Sequence, residues 1–171
     1  MHKKLPHINA IEHFQFLTFR TNDSIDSFIQ KLIEDKSIKQ NIKQFKIDNL
    51  LDKSSNGAYL NDDILSFLYD FFIEMDDDIY DLVSFVIMPN HIHMLFKQIK
   101  PIDVTIRTIK SKSAIGINKL LGKSGKFWAS DYYDKVIRDE EHFDKVYNYI
   151  RNNALRVGLD LECRFYSVYE K

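Results

Sequence analysis

Two histidines one residue apart, His91 and His93, lie in the run Phe85-Val86-Ile87-Met88-Pro89-Asn90-His91-Ile92-His93-Met94-Leu95-Phe96. The apolar, β-prone flanks and the Pro89-Asn90 pair predict two strands joined by a tight turn. Residues i and i+2 of a strand point to one face, so both imidazoles project side by side while Ile92 turns away. Nitrogens so placed can serve one divalent metal. Taken alone, such a pair is more often structural, each ring satisfied by a local hydrogen bond. A second group of chemically able residues, Tyr147-Asn148-Tyr149-Ile150-Arg151-Asn152-Asn153, comes much later in the chain. On a helix Tyr149 and Asn153 share a face, being four apart. Tyr147 and Ile150 belong to the buried stripe, which leaves Tyr149 offset from the core with its hydroxyl available.

If that helix lies beside the histidines, Asn153 supplies an oxygen to a metal held by His91 and His93, and Tyr149 stands next to it. Such an assembly suits attack on a phosphodiester. A phenol with pKa of about 10 is a poor nucleophile at neutral pH. A metal polarises the phosphate and stabilises the developing charge. A tyrosine nucleophile gives a covalent phosphotyrosine, which splits one transfer into two and keeps the bond energy for rejoining strands.

The elements that must position these residues are partly legible. Phe14-Gln15-Phe16-Leu17-Thr18-Phe19-Arg20 reads as a strand. Ser24 is the expected cap of a helix with Ile25, Phe28, Ile29, Leu32 and Ile33 at helical spacing. Residues 36–58 are lysine-rich and poorly patterned, and read as a short helix plus a loop ending at the Asn56-Gly57 turn. Asn61 or Asp62 caps the next helix, with Ile64, Leu65, Leu68, Phe71, Phe72 and Met75 inward. The acids Asp76-Asp77-Asp78 close it as a solvated loop. Residues 80–97 form the histidine hairpin. Residues 103–121 predict a helix with Ile106, Ile109, Ser113, Ile117 and Leu120 facing in, broken by Gly122 and Gly125. A strand is expected at Tyr132–Ile137. The last helix starts at Asp139, with Glu140 and Glu141 in the first turn where negative charge is favoured. It buries Phe143, Val146, Tyr147 and Ile150 and stops at Gly158. The order β-α-α-ββ-α-β-α predicts an α+β, ferredoxin-like (split βαβ) antiparallel sheet with an elaborated first crossover, helices on one face and the other free for a ligand.

Composition narrows the function classes. The 171 residues fit one domain spanning 1–171. One cysteine, Cys163, excludes an internal disulfide framework and has no Cys/His signature around it. No run approaches the ~20 apolar residues needed to cross a bilayer, and Met1–Pro6 lacks an apolar signal core, so a cytoplasmic location is expected. The net charge of −1 conceals a segregation: residues 61–81 hold eight acids and no Lys or Arg, whereas residues 97–126 hold eight basic residues against a single acid, Asp103. The basic stretch is a candidate phosphate-binding surface, although lysines are also common on any solvated helix face.

These residues resemble a known family. Met88-Pro89-Asn90-His91-Ile92-His93-Met94-Leu95 is similar, residue by residue, to the metal-binding motif of the Y1 (single-tyrosine) transposases of the IS200/IS605 type, a branch of the HUH endonucleases. The resemblance is nearest to the REP-associated tyrosine transposases. Phe16–Thr21 resembles the family's first strand, and Ile109-Lys110-Ser111 with Ile117-Asn118-Lys119-Leu120 its central helix. Phe127-Trp128, Asp131–Asp134 and Ile137–Glu141 resemble the lead into the catalytic helix, and Tyr149–Asn153 with Gly158-Leu159 that helix and its end. The resemblance implies Tyr149 as nucleophile and His91, His93 and Asn153 as ligands of Mg²⁺ or Mn²⁺. The implied substrate is single-stranded DNA carrying a hairpin, cut to a 5′-phosphotyrosine and a free 3′-OH and then rejoined. Asn153-Ala154 stands where the family usually has Asn-Pro, which is expected to loosen the helix end. Under this reading Arg107, Lys110, Lys112, Lys119 and Arg138 are candidate contacts to a DNA backbone, and Trp128 or Tyr132 a base-stacking platform. A monomer is expected rather than a dimer that exchanges catalytic helices.

Two other readings compete. A histidine-triad nucleotide hydrolase also uses alternating histidines, but it needs a third at position 95, where Leu95 stands. A domesticated DNA-binding protein would keep the fold without turnover, against which the intact Tyr149, His91 and His93 argue.

Overall fold

The computed structural model describes residues 9–170; Met1–Pro6 lies outside the described residues. A five-stranded antiparallel sheet runs in the order β4-β1-β3-β2-β5, with β1 Phe14–Arg20, β2 Asp81–Ile87, β3 His91–Lys97, β4 Tyr133–Val136 and β5 Phe165–Ser167. The first four strands in this order are those of a split βαβ unit, so the α+β, ferredoxin-like expectation holds. Phe165–Ser167 adds an edge strand beside β2 that the sequence reading lacked. Three residues are too few to show a period.

Five helices surround the sheet: α1 Ser27–Glu34, α2 Gln40–Lys53, α3 Asp62–Glu74, α4 Ile102–Leu121 and α5 Glu140–Arg156. Strand alternation assigns Leu17, Phe19, Phe85, Ile92 and Met94 to one face, where they pack with Leu68, Phe72, Ile106 and Ile109 of α3 and α4. The opposite face carries Phe16, Val86 and Leu95, packed with Val146, Ile150 and Ala154 of α5. The expectation that all helices cover one face is thus corrected. Helix α5 has its own apolar stripe, and only the second face of the sheet remains to bury it. A third, small core joins Ile29 of α1 to Ile47 and Leu51 of α2.

Local chemistry sets the helix ends. Asp26, not Ser24, caps α1: its Oδ1 accepts from the amides of Phe28 and Ile29, while Ser24 ends a preceding 3₁₀ turn. Asp139 caps α5 as expected, accepting from the His142 amide. Helix α2 runs fourteen residues where only a short helix was expected. Phe28 and Leu120, expected to face in, are 69% and 50% exposed. Phe28 stands in the first turn of α1 and Leu120 in the last turn of α4, where the core does not reach them.

Candidate active site

Antiparallel pairing sets Thr18 opposite His93 and Arg20 opposite His91, so four polar side chains share the second face of the sheet. All four are buried. The two imidazole rings stand nearly perpendicular, with centroids 4.9 Å apart. The turn before β3 controls the first of them. Asn90 Nδ2 donates to the carbonyls of Leu51, Ser54 and Asn56 at 3.0, 3.2 and 3.3 Å, which fixes the orientation of the amide. Asn90 Oδ1 therefore faces His91 Nδ1 at 2.8 Å. A carbonyl oxygen only accepts, so His91 carries its proton on Nδ1 and presents a lone pair at Nε2. His93 Nδ1 lies 2.7 Å from Thr18 Oγ1, which likewise leaves Nε2 for another partner. Burial, with the charges of Arg20 and Arg156, lowers His91 to about 3. Burial, then His91 and Arg156, hold His93 well below the usual histidine range. Both rings are neutral, the form that binds metals.

Helices α5 and α2 close over the histidines with matched polar stripes. Tyr149, Asn153 and Arg156 follow each other on one face of α5, and Gln44, Asp48 and Asp52 on one face of α2. The Tyr149 hydroxyl donates to Asp48 Oδ2 at 2.9 Å, and its ring lies 5.2 Å from that of His93. Gln44 Nε2 donates to Asp48 Oδ1 at 2.7 Å. Arg156 donates to Asp52 Oδ2 at 2.6 Å and sits 5.7 Å above the Tyr149 ring. Asp52 Oδ1 lies 3.7 Å from His91 Nε2. Burial raises Asp48 to about 7, against the pull of its hydrogen bonds from Tyr149 and Gln44. Burial and the Asp48 carboxylate push the Tyr149 phenol above its ordinary range.

The residues present suit a divalent cation. Asp48, His91 and His93 each offer a ligand atom, all within 4.8 Å of one another. The Nε2 atoms of both histidines and both amide atoms of Asn153 are buried without a hydrogen-bond partner. An orphaned buried polar atom costs about 1–3 kcal/mol, and a bound cation would satisfy the lone pairs among these. The other acidic cluster, Asp76, Asp77 and Asp81, is mostly exposed and has no histidine. Asp76 there accepts from the amides of Asp77 and Leu82, as a turn-forming residue does.

Tyr149, His91, His93 and Asn153 thus come from two distant chain segments, β3 and α5, into one region. Asn153 is 2% exposed. Tyr149 is not free, because Asp48 holds its hydroxyl. The basic segment divides. Arg107, Lys112, Lys119 and Arg138 are exposed. Lys110 instead donates to the carbonyls of Ala129 and Asp131 at 2.7 and 2.8 Å, and burial lowers it to about 8. Trp128 is corrected from a stacking platform to a core residue: its indole donates to Ser113 Oγ and its ring packs edge-on against Phe19. Tyr132 is half-buried at the margin of that core, with the Lys110 ammonium 5.4 Å from its ring centroid.

Sequence reasoning missed Asp48, Asp52, Asn90, Arg20 and Arg156. A signal existed for the α2 pair, since Gln44, Asp48 and Asp52 recur every fourth residue in an otherwise unpatterned stretch. The expected loosening at Ala154 does not occur. Alanine keeps its amide in the helix, so α5 continues to Arg156 and carries that guanidinium onto Asp52.

Comparisons with known proteins bear on the fold and the family. An uncharacterized protein of Haemophilus influenzae (strain ATCC 51907 / DSM 11121 / KW20 / Rd) is 30% identical over 95 residues, which is 42% of this chain and 53% of that protein. The chain therefore spans about half the length of that curated relative. Among solved structures, a REP-associated tyrosine transposase bound to a REP hairpin superposes with a TM-score of 0.55 at 13% identity, covering 92% of this chain and 76% of that one. That likeness shows a shared fold. A crystal structure from Deinococcus radiodurans R1, described as a transposase, gives a TM-score of 0.49 at 15% identity over 87% of this chain and 96% of that one. The sequence profile described as "Transposase IS200 like" matches residues 53–153, which include both histidines and the tyrosine helix. The chain belongs to the IS200-like transposase family.

Proposed function

We propose that this protein cuts and rejoins single-stranded DNA, at a hairpin or palindromic repeat, with Tyr149 as the nucleophile. The observation that carries the reading is the Tyr149 hydroxyl, half-buried beside two neutral histidines whose Nε2 atoms have no hydrogen-bond partner. The solved relative's bound REP hairpin supports DNA of that kind as the substrate. His91, His93 and Asp48 would hold Mg²⁺ or Mn²⁺, with Asn153 as a further oxygen donor. Once bound, the ion supplies Lewis-acid polarisation of the scissile phosphate.

The chain's own residues account for the rest. Asp48 Oδ2 orients the phenol and stands where it can accept the proton as the tyrosine oxygen attacks phosphorus. The Tyr149–phosphorus bond forms as the phosphorus–O3′ bond breaks, leaving a 5′-phosphotyrosine, and the released 3′-oxygen takes a proton from water to become the 3′-OH. Reversal by another 3′-OH rejoins the strand. Arg20 and Arg156 place fixed positive charge near the histidines, where the phosphate develops negative charge. The site is complete within one chain, which supports a monomer as the working unit.

The test is a denaturing gel of protein with labelled single-stranded hairpin DNA and Mn²⁺. The wild type should give a covalent band that Tyr149→Phe and His91→Ala lose. DNA bound without any covalent band across a varied set of hairpins would contradict the reading and leave a DNA-binding relic.

A further inference from the structure

Helix α2 ends where the family match begins, at residue 53, so nearly all of it lies outside the matched segment. Yet it supplies Asp48 and Asp52 to the site. It also builds one wall of a cavity of about 200 Å³ that opens beside Tyr149. Phe45 of α2 stands in that wall and is 54% exposed. Tyr133 of β4 and Phe16 of β1 line the same cavity, the Phe16 ring lying 6.1 Å from that of Tyr133 and 6.0 Å from that of Tyr149. Lys135 and Lys145 stand at the same cavity. Aromatic walls, a cationic rim and a nucleophilic hydroxyl at one end match the three parts of a nucleotide: a flat base, a phosphate, and the bond to be cut.

We infer that this cavity binds the unpaired nucleotide next to the scissile phosphate, its base between Phe45 and Tyr133 and its phosphate towards Lys135 and Lys145. This rests on the reading of Tyr149 as nucleophile and adds to it a subsite built by a helix outside the family match. The size suits one unpaired base. Stacking tolerates every base, whereas the exposed amide of Asn41 in the α2 wall can discriminate base edges. Helix α2 is therefore the element that sets which nucleotide is accepted beside the cut.

The test uses the full chain and two probes: a hairpin oligonucleotide with randomised unpaired flanks, and the same hairpin with no flank. Binding is measured by fluorescence anisotropy in a Tyr149→Phe background, where no cleavage intervenes. Phe45→Ala should weaken binding of the flanked probe roughly 5- to 100-fold, the range for losing one stacked base, and leave the flankless probe unchanged. Phe45→Trp should restore it. Phe45 is exposed, so these variants should fold, which circular dichroism checks. In the Tyr149-containing protein, sequencing the flanks captured as covalent adducts should show a nucleotide bias at the linked position that Asn41→Ala flattens. Equal affinity of Phe45→Ala and its parent for the flanked probe overturns the subsite, as does a flank bias unchanged by Asn41→Ala. If flanked binding depends on Phe45 but no covalent adduct forms at all, the subsite stands and the nucleophile assignment falls.

Discussion

At the scale of single residues, the site depends on side chains that fix their neighbours rather than on the histidines alone. Asn90 is held by three carbonyls at the end of α2 and in turn sets the tautomer of His91. Asn90→Ala should weaken Mn²⁺ binding about 10- to 100-fold while leaving the fold intact, the usual effect of losing a partner that orients a ligand. Isothermal titration of the folded variant checks this. The pH dependence of the metal-free protein has opposing parts. His91 falls from 6.5 unfolded to about 3 folded, so the stability it contributes is present above 6.5 and lost as pH falls towards 3. His93 shifts in the same direction. Asp48 does the reverse: it rises from 3.8 to about 7, so acidification through that window relieves the cost of burying its charge. Asp48→Asn removes the second effect and keeps the first. Its stability should therefore fall more steeply than wild type's as pH drops from about 6.5 to 4, measured by denaturant unfolding in chelator. The His91 and His93 pair was legible because its strand is apolar on both sides. Arg20 and Thr18 were not, because only the strand register reveals which residues stand opposite the histidines.

At the scale of elements, the site is a junction of β3, α5 and α2, and the sequence revealed these unequally. Strand β1 and the α5 cap at Asp139 follow from alternation and capping chemistry. Helix α2 was obscured because it buries two different faces. One holds Ile47 and Leu51 against α1, and the other points Asp48 and Asp52 at the histidines. Apolar and polar positions then fall all round the helix, and no single stripe survives. The C-terminal turn of α5 matters for the same junction. Ala154 is fully buried within it and lets the helix reach Arg156. Restoring proline there removes a helix amide and crowds the preceding turn. Ala154→Pro should cost about 3 kcal/mol or more by denaturant unfolding and release Arg156 from Asp52.

At the scale of the whole molecule, charge is divided between regions. The first crossover brings acids to the histidines, while α4 and the start of α5's lead carry exposed Arg107, Lys112, Lys119 and Arg138. Among the described residues, no helix is long and apolar enough to cross a membrane. If the exposed cations follow a DNA backbone, neutralising Lys112 and Lys119 together should weaken hairpin binding across all sequences. It should also reduce the slope of log affinity against log salt by about 1 per residue that touches a phosphate. Lys110→Gln should act differently, by loosening the Ala129–Asp131 loop it anchors. The ferredoxin-like order was legible from the spacing of strands and helices. That α5 would lie across the histidine face was not, because packing of a helix on either side of a sheet leaves the same period in the sequence. The most direct test of the central claim is tandem mass spectrometry of the protein after incubation with hairpin DNA and Mn²⁺. The expected result is a nucleotide remnant linked through phosphate to Tyr149, one of nine tyrosines, and absent when chelator replaces the metal. A remnant on any other residue, or cleaved DNA with no linked protein, would contradict it.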